Sequence, residues 1–358
     1  MSPVFPLASI FRSLLFVWLT LGSWSALAQQ DAPKPPKLFE AQTRLQVTLK
    51  GPWRTIERRS ATERRFDGEL SYVDANGVPQ SFPIGITTRG LTRRDRVCVF
   101  PPLKLWFDKD TTKGTEFRGQ GSLKMVTHCK KSKAYSQYYV REFLAYRIYN
   151  LITPYSFRVR EMMVTYVDNE RDGKPQEYFG FLIEDIDDVA ERHGLEELEI
   201  PEIMPTRLDP VEISNYALFQ YLISNLDWSA TGGPDPVECC HNSKLIGSGP
   251  DENPVYSIPY DLDSSGLVNA HYAAPPEILK VRNIRQRLYR GFCFHNDQLP
   301  AALQRFVEQK QAIFDLFESN DLLTNKGIRD SVNFLNGFYE KLEPPGGLEE
   351  WVIDKCRG

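Results

Sequence analysis

Three short stretches in the second half of the sequence carry side chains suited to phosphoryl chemistry. "NLDW" (225–228) places Asp227 just beyond an apolar helical run, and "HNSKLI" (241–246) places Asn242 ahead of a short strand. "VYSIPYDLDSSG" (255–266) climbs along an apolar run to Asp261 and Asp263 before breaking at Ser264-Ser265-Gly266. Alternate residues of an extended chain share a face, so the two carboxylates point the same way and call for a cation between them. Phosphoryl transfer asks for such a set. One carboxylate orients the attacking hydroxyl or takes its proton, and an Asn and a second Asp hold divalent ions against the phosphates. A lysine grips phosphate oxygens, and a helix glutamate positions that lysine. Lys104 in "PPLKLWF" (101–107) and Lys124 in "SLKMVTH" (122–128) are the candidate lysines, and Glu142 is the candidate partner.

Each of these residues also has a plainer reading. Asp261 and Asp263 could bind structural Ca²⁺, or cap a turn with the two serines. At least one of the lysines must be an edge-strand residue whose stem packs while its tip reaches water. A glutamate on a helix is a surface residue by default. Arg89 and Arg93 are placed to touch phosphates, although loop arginines are commonly solvated. His241 reads as structural, and Gly90 and Gly266 as turn formers.

The elements that must position these groups follow from pattern. Residues 43–107 alternate apolar and polar side chains, with Asn76-Gly77 as a hairpin turn, so they read as strands. Two more short strands carry Lys104 and Lys124. An amphipathic helix is expected over 136–152 with Ser136 as N-cap, because Val140, Phe143, Leu144, Ile148 and Leu151 share one face. A hairpin around Asp172-Gly173 follows. In the second half Asp209, Pro210 and Glu212 form a helix start, and residues 275–291, 297–320 and 327–341 have helical patterns. The order is a β-rich lobe with one helix (43–187), a connecting segment near 184–202, and a mainly helical lobe reaching residue 358.

At this point the chain resembles a known family, the CotH-type secreted kinases, named after spore coat protein H. The resemblance covers roughly residues 80–320. It is carried by "ITTRG" (86–90) before a basic loop and a lysine-bearing strand, by the helix after it, and by "YFGFLIEDID" (178–187). "NLDW", "HNSKLI" and "IPYDLDSSG" complete it. It implies an α+β, bilobal protein-kinase-like fold with a β-rich N-terminal lobe and a helix-rich C-terminal lobe. It implies ATP or another nucleotide with Mg²⁺ or Mn²⁺ as cofactors. Asp227 would be the catalytic aspartate, Asn242 and Asp261 the metal ligands, Asp263 a helper acid, and Glu184 a hinge residue. The sequence departs from the family at Tyr260, where a Trp precedes the Asp pair, and at Ser243, where an aromatic follows the Asn. No G-x-G-x-x-G precedes the lysine strands, and "GTEFRGQG" (114–121) lacks the Gly-Lys-Ser/Thr ending of a phosphate-binding loop.

Composition sets the outer limits. A net charge of -4 argues against a general nucleic-acid binder. Arg12 followed by "SLLFVWLTLGSWSALA" has the layout of a signal peptide cleaved after Ala28, which predicts an exported protein with no membrane span after cleavage. Residues 29–42 then read as a Pro-rich linker. Six cysteines in an exported chain favour disulfides, with zinc as the alternative where histidines adjoin them. The expected function is an exported phosphotransferase acting on a protein Ser/Thr or another envelope acceptor. The rivals are a catalytically inactive envelope scaffold and a glycan hydrolase built on a carboxylate pair.

Overall fold

The structure, a computed structural model, describes residues 1–2, 37–62, 64–90, 93–233 and 239–358. Residues 3–28 of the expected signal peptide and residues 29–36 of the linker lie outside the described residues.

The N-terminal half runs β1 (Leu45–Gly51), α1 (Trp53–Arg58), β2 (Phe66–Val73), β3 (Pro79–Thr88), β4 (Leu103–Phe107), β5 (Ser122–Val126), α2 (Lys133–Ile152), β6 (Val159–Asp168) and β7 (Gln176–Ile183). Its strands alternate as the sequence predicts, and Gly77, at a φ of 79°, makes the β2–β3 turn. The seven strands close into a barrel in the order β1-β2-β3-β4-β5-β7-β6. The seam is a parallel pairing of β1 with β6, from Leu45 opposite Met162 to Gly51 opposite Asp168. Inward side chains such as Leu49, Leu70, Ile86, Leu105, Met125 and Val164 fill the barrel, with Phe117 of the β4–β5 loop packed among them.

This corrects the expected fold class. The bilobal protein-kinase-like fold calls for an open β-sheet as its N-terminal lobe, whereas these strands form a closed mixed barrel. Alternation shows which face of a strand is buried but not which strand it pairs with. The β1–β6 seam joins segments far apart in sequence, and closing it removes both free edges.

The second half holds α3 (Ile186–Arg192), β8 (Glu196–Glu197), α4 (Pro210–Ile223), β9 (Ser243–Gly247), β10 (Tyr256–Pro259), α5 (Leu299–Glu308), α6 (Lys310–Glu318), α7 (Asn325–Leu342) and α8 (Gly347–Trp351). It is not purely helical, because β10, β9 and β8 form a separate three-stranded sheet. Asp209 caps α4 as expected, accepting from the Val211 and Glu212 amides. The cap of α2 is Ser132 rather than Ser136, whose hydroxyl instead donates to the Lys133 carbonyl. The helix expected over 275–291 does not form. There Arg287 reaches across to the Tyr221 and Leu222 carbonyls at the end of α4, so the segment caps another helix. The 297–320 pattern breaks at Gln309 into α5 and α6.

All six cysteines are paired, as Cys98–Cys129, Cys239–Cys240 and Cys293–Cys356. The cysteines therefore serve as crosslinks, not as zinc ligands. Among the described residues no helix is long and apolar enough to cross a membrane.

Candidate functional site

Asp227 stands on the loop that leaves α4. Ser224 ends the helix in the left-handed region at a φ of 51°, and the buried Trp228 anchors the loop through its Nε1, which donates to the Asn225 carbonyl at 3.0 Å. Arg290 braces the same loop by donating to the Leu226 and Trp228 carbonyls. The Asp227 carboxylate receives His241 Nε2 at 2.7 Å on one oxygen and Asn242 Nδ2 at 3.1 Å on the other. That bond and a second to the Asp227 carbonyl, at 2.7 Å, fix the Asn242 amide with its nitrogen toward Asp227. The hydrogen bond to Asp227 raises the His241 pKa above its usual value.

Asp261 lies at the end of β10, also in the left-handed region, at a φ of 56°. Its amide donates to the Tyr146 hydroxyl of α2 at 2.9 Å. Solvent reaches its side chain, yet protein surrounds the cleft. That burial raises the Asp261 pKa first, and Asp263 adds to it, while Arg93 and Arg89 act in the opposite direction.

The cation that the aspartate pair asks for is, for Asp263, a guanidinium. Arg93 stands on a short helical turn, Arg93–Val97, and donates from Nε to Asp263 Oδ2 at 2.6 Å and from Nη2 to Glu142 Oε2. The Tyr272 hydroxyl donates to the same Asp263 oxygen at 2.9 Å. Glu142 is buried on α2, and desolvation lifts its carboxyl to about 7 despite the arginine beside it. Glu142 is therefore held by Arg93 and not by a strand lysine, and Asp263 is engaged by protein donors. The cysteine that ends this turn, Cys98, ties it by disulfide to Cys129.

Of the two lysines, Lys124 is at the site. It lines a crevice with Arg89, Glu142, Tyr146, Tyr260 and Asp261, with its Nζ 4.9 Å from the centre of the Tyr260 ring. Burial lowers its pKa to about 8, and Arg89 and Lys244 push the same way. Arg89 is likewise lowered by burial, and its Nε has no hydrogen-bond partner among the described residues. Lys104 instead lies over Trp106, 4.3 Å from the ring centre, outside the crevice. Glu184 is also elsewhere. It accepts from the Arg158 amide at 2.9 Å and from Arg192, beside a separate cavity of about 440 Å³.

The structure thus brings together Asp227, Asn242, Asp261, Lys124, Arg89 and Glu142. Pattern reasoning paired Arg93 with Arg89 as a candidate for phosphate, whereas the structure engages it with Asp263 and Glu142, and it treated His241 as merely structural. No local signal shows that Arg93 meets two carboxylates, whereas the His241-Asn242 adjacency did mark the position that meets Asp227.

Among the described residues no cluster of three or more His, Cys, Asp or Glu side chains could hold a metal ion unaided. The donors that fit a hard cation are the Asp261 carboxylate, whose oxygens have no hydrogen bond among the described residues, and the Asn242 amide oxygen, turned away from Asp227. Mg²⁺ is commonly held by one or two such groups together with substrate phosphates. No protein-family model and no curated protein matches the chain.

Proposed function

We propose that this crevice grips the phosphates of a nucleotide and transfers a phosphoryl group to a hydroxyl acceptor, a protein Ser/Thr or another envelope component. One observation carries the reading: Lys124 from β5 and Asp261 from the turn after β10 line a single crevice with Arg89, and Asp261 feels the charge of Asp227. Residues far apart in sequence thus supply a cationic end and an acidic end. The likeness of "NLDW", "HNSKLI" and "IPYDLDSSG" to CotH-type kinases supports the same chemistry, on a barrel rather than on the bilobal fold of that family.

In this scheme Lys124 and Arg89 bind phosphate oxygens as charge-assisted donors. Asp261 and the Asn242 amide oxygen would hold the divalent ion, which neutralises phosphate charge. Asp227, steadied by His241 and Asn242, orients the acceptor hydroxyl and takes its proton. The hydroxyl oxygen bonds to phosphorus, the bond to the bridging oxygen breaks, and the nucleoside diphosphate leaves. The three disulfides support an exported location, where such bonds persist.

The crevice offers about 10 Å³ of open space, room for about one water molecule. A nucleotide therefore enters only if the crevice widens. This narrowness favours the rival reading, a catalytically inactive scaffold. A thermal-shift series with ATP and Mg²⁺, Mn²⁺ or Ca²⁺ separates the two. On the phosphotransfer reading the wild type gains melting temperature with a nucleotide–metal pair. Asp261→Ala loses that gain, while Asp227→Ala keeps it and loses transfer. An unshifted wild type under every pair leaves the scaffold.

A further inference from the structure

A second basic site lies away from the crevice, where α2 ends against the start of β6 and the end of α3. A cavity of about 420 Å³ opens there, and three arginines line it: Arg147 of α2, Arg158 just before β6, and Arg192 at the end of α3. Among the described residues no Asp or Glu lines it, and its remaining polar lining is uncharged. It shares no lining residue with the crevice.

The three arginines differ in what already holds them. Arg192 is committed. Its Nη2 donates to Glu184 Oε2 at 3.0 Å and to the Ser156 carbonyl at 2.8 Å, and its Nη1 donates to the Pro154 carbonyl at 3.2 Å. It thereby serves the turn that follows α2. The Arg158 amide donates to Glu184, but its guanidinium donates no hydrogen bond among the described residues. Arg147 has one acceptor there, the Gln42 side-chain oxygen. Arg147 is half-buried, and burial lowers its pKa. The carboxylate that acts against this shift, Glu161, is itself bonded to Arg44 at 2.7 Å. Glu40, Asp188 and Glu191 border the neighbouring cavity, which Arg158 and Arg192 also reach, and among the described residues none of them pairs with Arg158. A cation partly withdrawn from water without an ionic partner is costly until an anion supplies one.

We infer that this cavity is an anion site, in which Arg147 and Arg158 together grip the phosphate of a phosphomonoester. Charge decides the ligand class. Two guanidiniums lack a carboxylate partner, and a phosphomonoester brings about two negative charges at neutral pH together with three acceptor oxygens. The planar guanidinium fork fits two such oxygens at once. A carboxylate or a sulfate ester brings a single charge and leaves one guanidinium unmatched. The cavity has the volume of a small-molecule site, so it also has room for the group that bears the phosphate: a free sugar or glycerol phosphate, or a lipid headgroup. The inference does not rest on the phosphotransfer reading of the crevice.

Isothermal titration of the full chain with glycerol 3-phosphate and glucose 1-phosphate tests this, with acetate and methyl sulfate as the singly charged arms. Sedimentation with phosphatidylcholine vesicles, with and without phosphatidic acid, tests the lipid source. At least one soluble phosphomonoester, or the phosphatidic acid vesicles alone, should bind, a soluble one with a Kd below about 1 mM. Acetate and methyl sulfate should bind about tenfold or more weakly. The double variant Arg147→Gln/Arg158→Gln should lose about tenfold or more in affinity. It should melt no lower than the wild type in phosphate-free buffer, because neither guanidinium has an ionic partner to lose. Arg158→Gln alone removes no hydrogen bond of the fold and should also weaken binding, which keeps the test open if the double variant unfolds. Lys124→Met, in the crevice, should bind these probes as the wild type does. The inference is overturned if no phosphate probe binds in solution or on vesicles, or if acetate or methyl sulfate binds as tightly. It is equally overturned if Arg158→Gln binds like the wild type, or if Lys124→Met abolishes binding and so assigns it to the crevice.

Discussion

The barrel has two outer faces built on one alternation, and they differ in what lies over them. On β5 and β7 the outward residues Val126, Phe179, Phe181 and Ile183 are buried in the core that α2 and the second half of the chain share. On β1, β2, β3 and β6 the outward residues Thr48, Ser71, Ser81 and Thr165 carry hydroxyls and reach solvent. Within one ring of strands the outward residues are therefore apolar where a second layer packs and polar where none does. The passage from one face to the other can be followed along a single cross-strand row. Thr87 pairs with Lys104, Lys104 with Lys124, Lys124 with Ile183, and Ile183 with Val159. Lys104 is on the open side of that row and Lys124 at the margin of the cover. This explains why burial perturbs Lys124 and why Lys124 is the lysine in the crevice.

The contrast is broken most forcefully by truncating the covered face. Phe181→Ala should cost about 3–5 kcal/mol, the usual cost of a large cavity in a core, because its ring packs against Phe143 and Tyr146 of α2. Ser71→Ala on the open face should stay within about 0.5 kcal/mol of wild type. Urea denaturation of the two variants side by side measures the difference. Similar losses would mean that the open face is covered as well.

Arg93 tests the join between the covered face and the second half of the chain. It bonds Glu142 of α2 and Asp263 of the turn after β10, both buried. Removing one partner leaves uncompensated charge in a low-dielectric site, so Arg93→Met should cost about 3 kcal/mol. The triple variant Arg93→Met/Glu142→Leu/Asp263→Leu should recover much of that loss, since well-packed apolar groups often replace a buried ion cluster without penalty. A triple variant no more stable than the single one would show that shape, and not charge, fixes this join.

Much of the local structure was legible in the sequence for a physical reason. Alternation, the Asn76-Gly77 turn and the Asp209 cap are short-range signals whose partners lie within a few residues. The β1–β6 seam was not legible, because a strand pattern shows a buried face and names no partner. The 275–291 segment misled for a related reason, since its arginines serve carbonyls on α4 and α7. At the site, Asp227, Asn242 and Asp261 were readable as residue types in a meaningful order. Arg93 was named only as a phosphate candidate, and its pairing with Asp263 and Glu142 was not legible, because that role exists only once three distant segments meet. The choice between Lys104 and Lys124 was equally closed to the sequence, since both sit in similar apolar strands and only the cover over β5 separates them.

That cover gives Lys124 two opposed pH signatures. Its pKa is about 8 in the fold against about 10.4 in an unfolded chain, so the folded form binds the proton less tightly. Its contribution to stability is then fully present above the unfolded value and is lost as pH falls through about 8. On the proposed phosphotransfer reading, phosphate binding would run the other way, because the ammonium that attracts phosphate is lost as pH rises through the same value. The nucleotide–metal complex should therefore bind about tenfold more weakly at about pH 9 than at about pH 7. Lys124→Arg, whose guanidinium stays charged, should flatten this dependence. The equivalent change at Lys104, on the open side of the row, should leave the wild-type profile unchanged. If Lys104→Arg flattened it and Lys124→Arg did not, the cationic end of the crevice would have to be moved to the open face of the barrel.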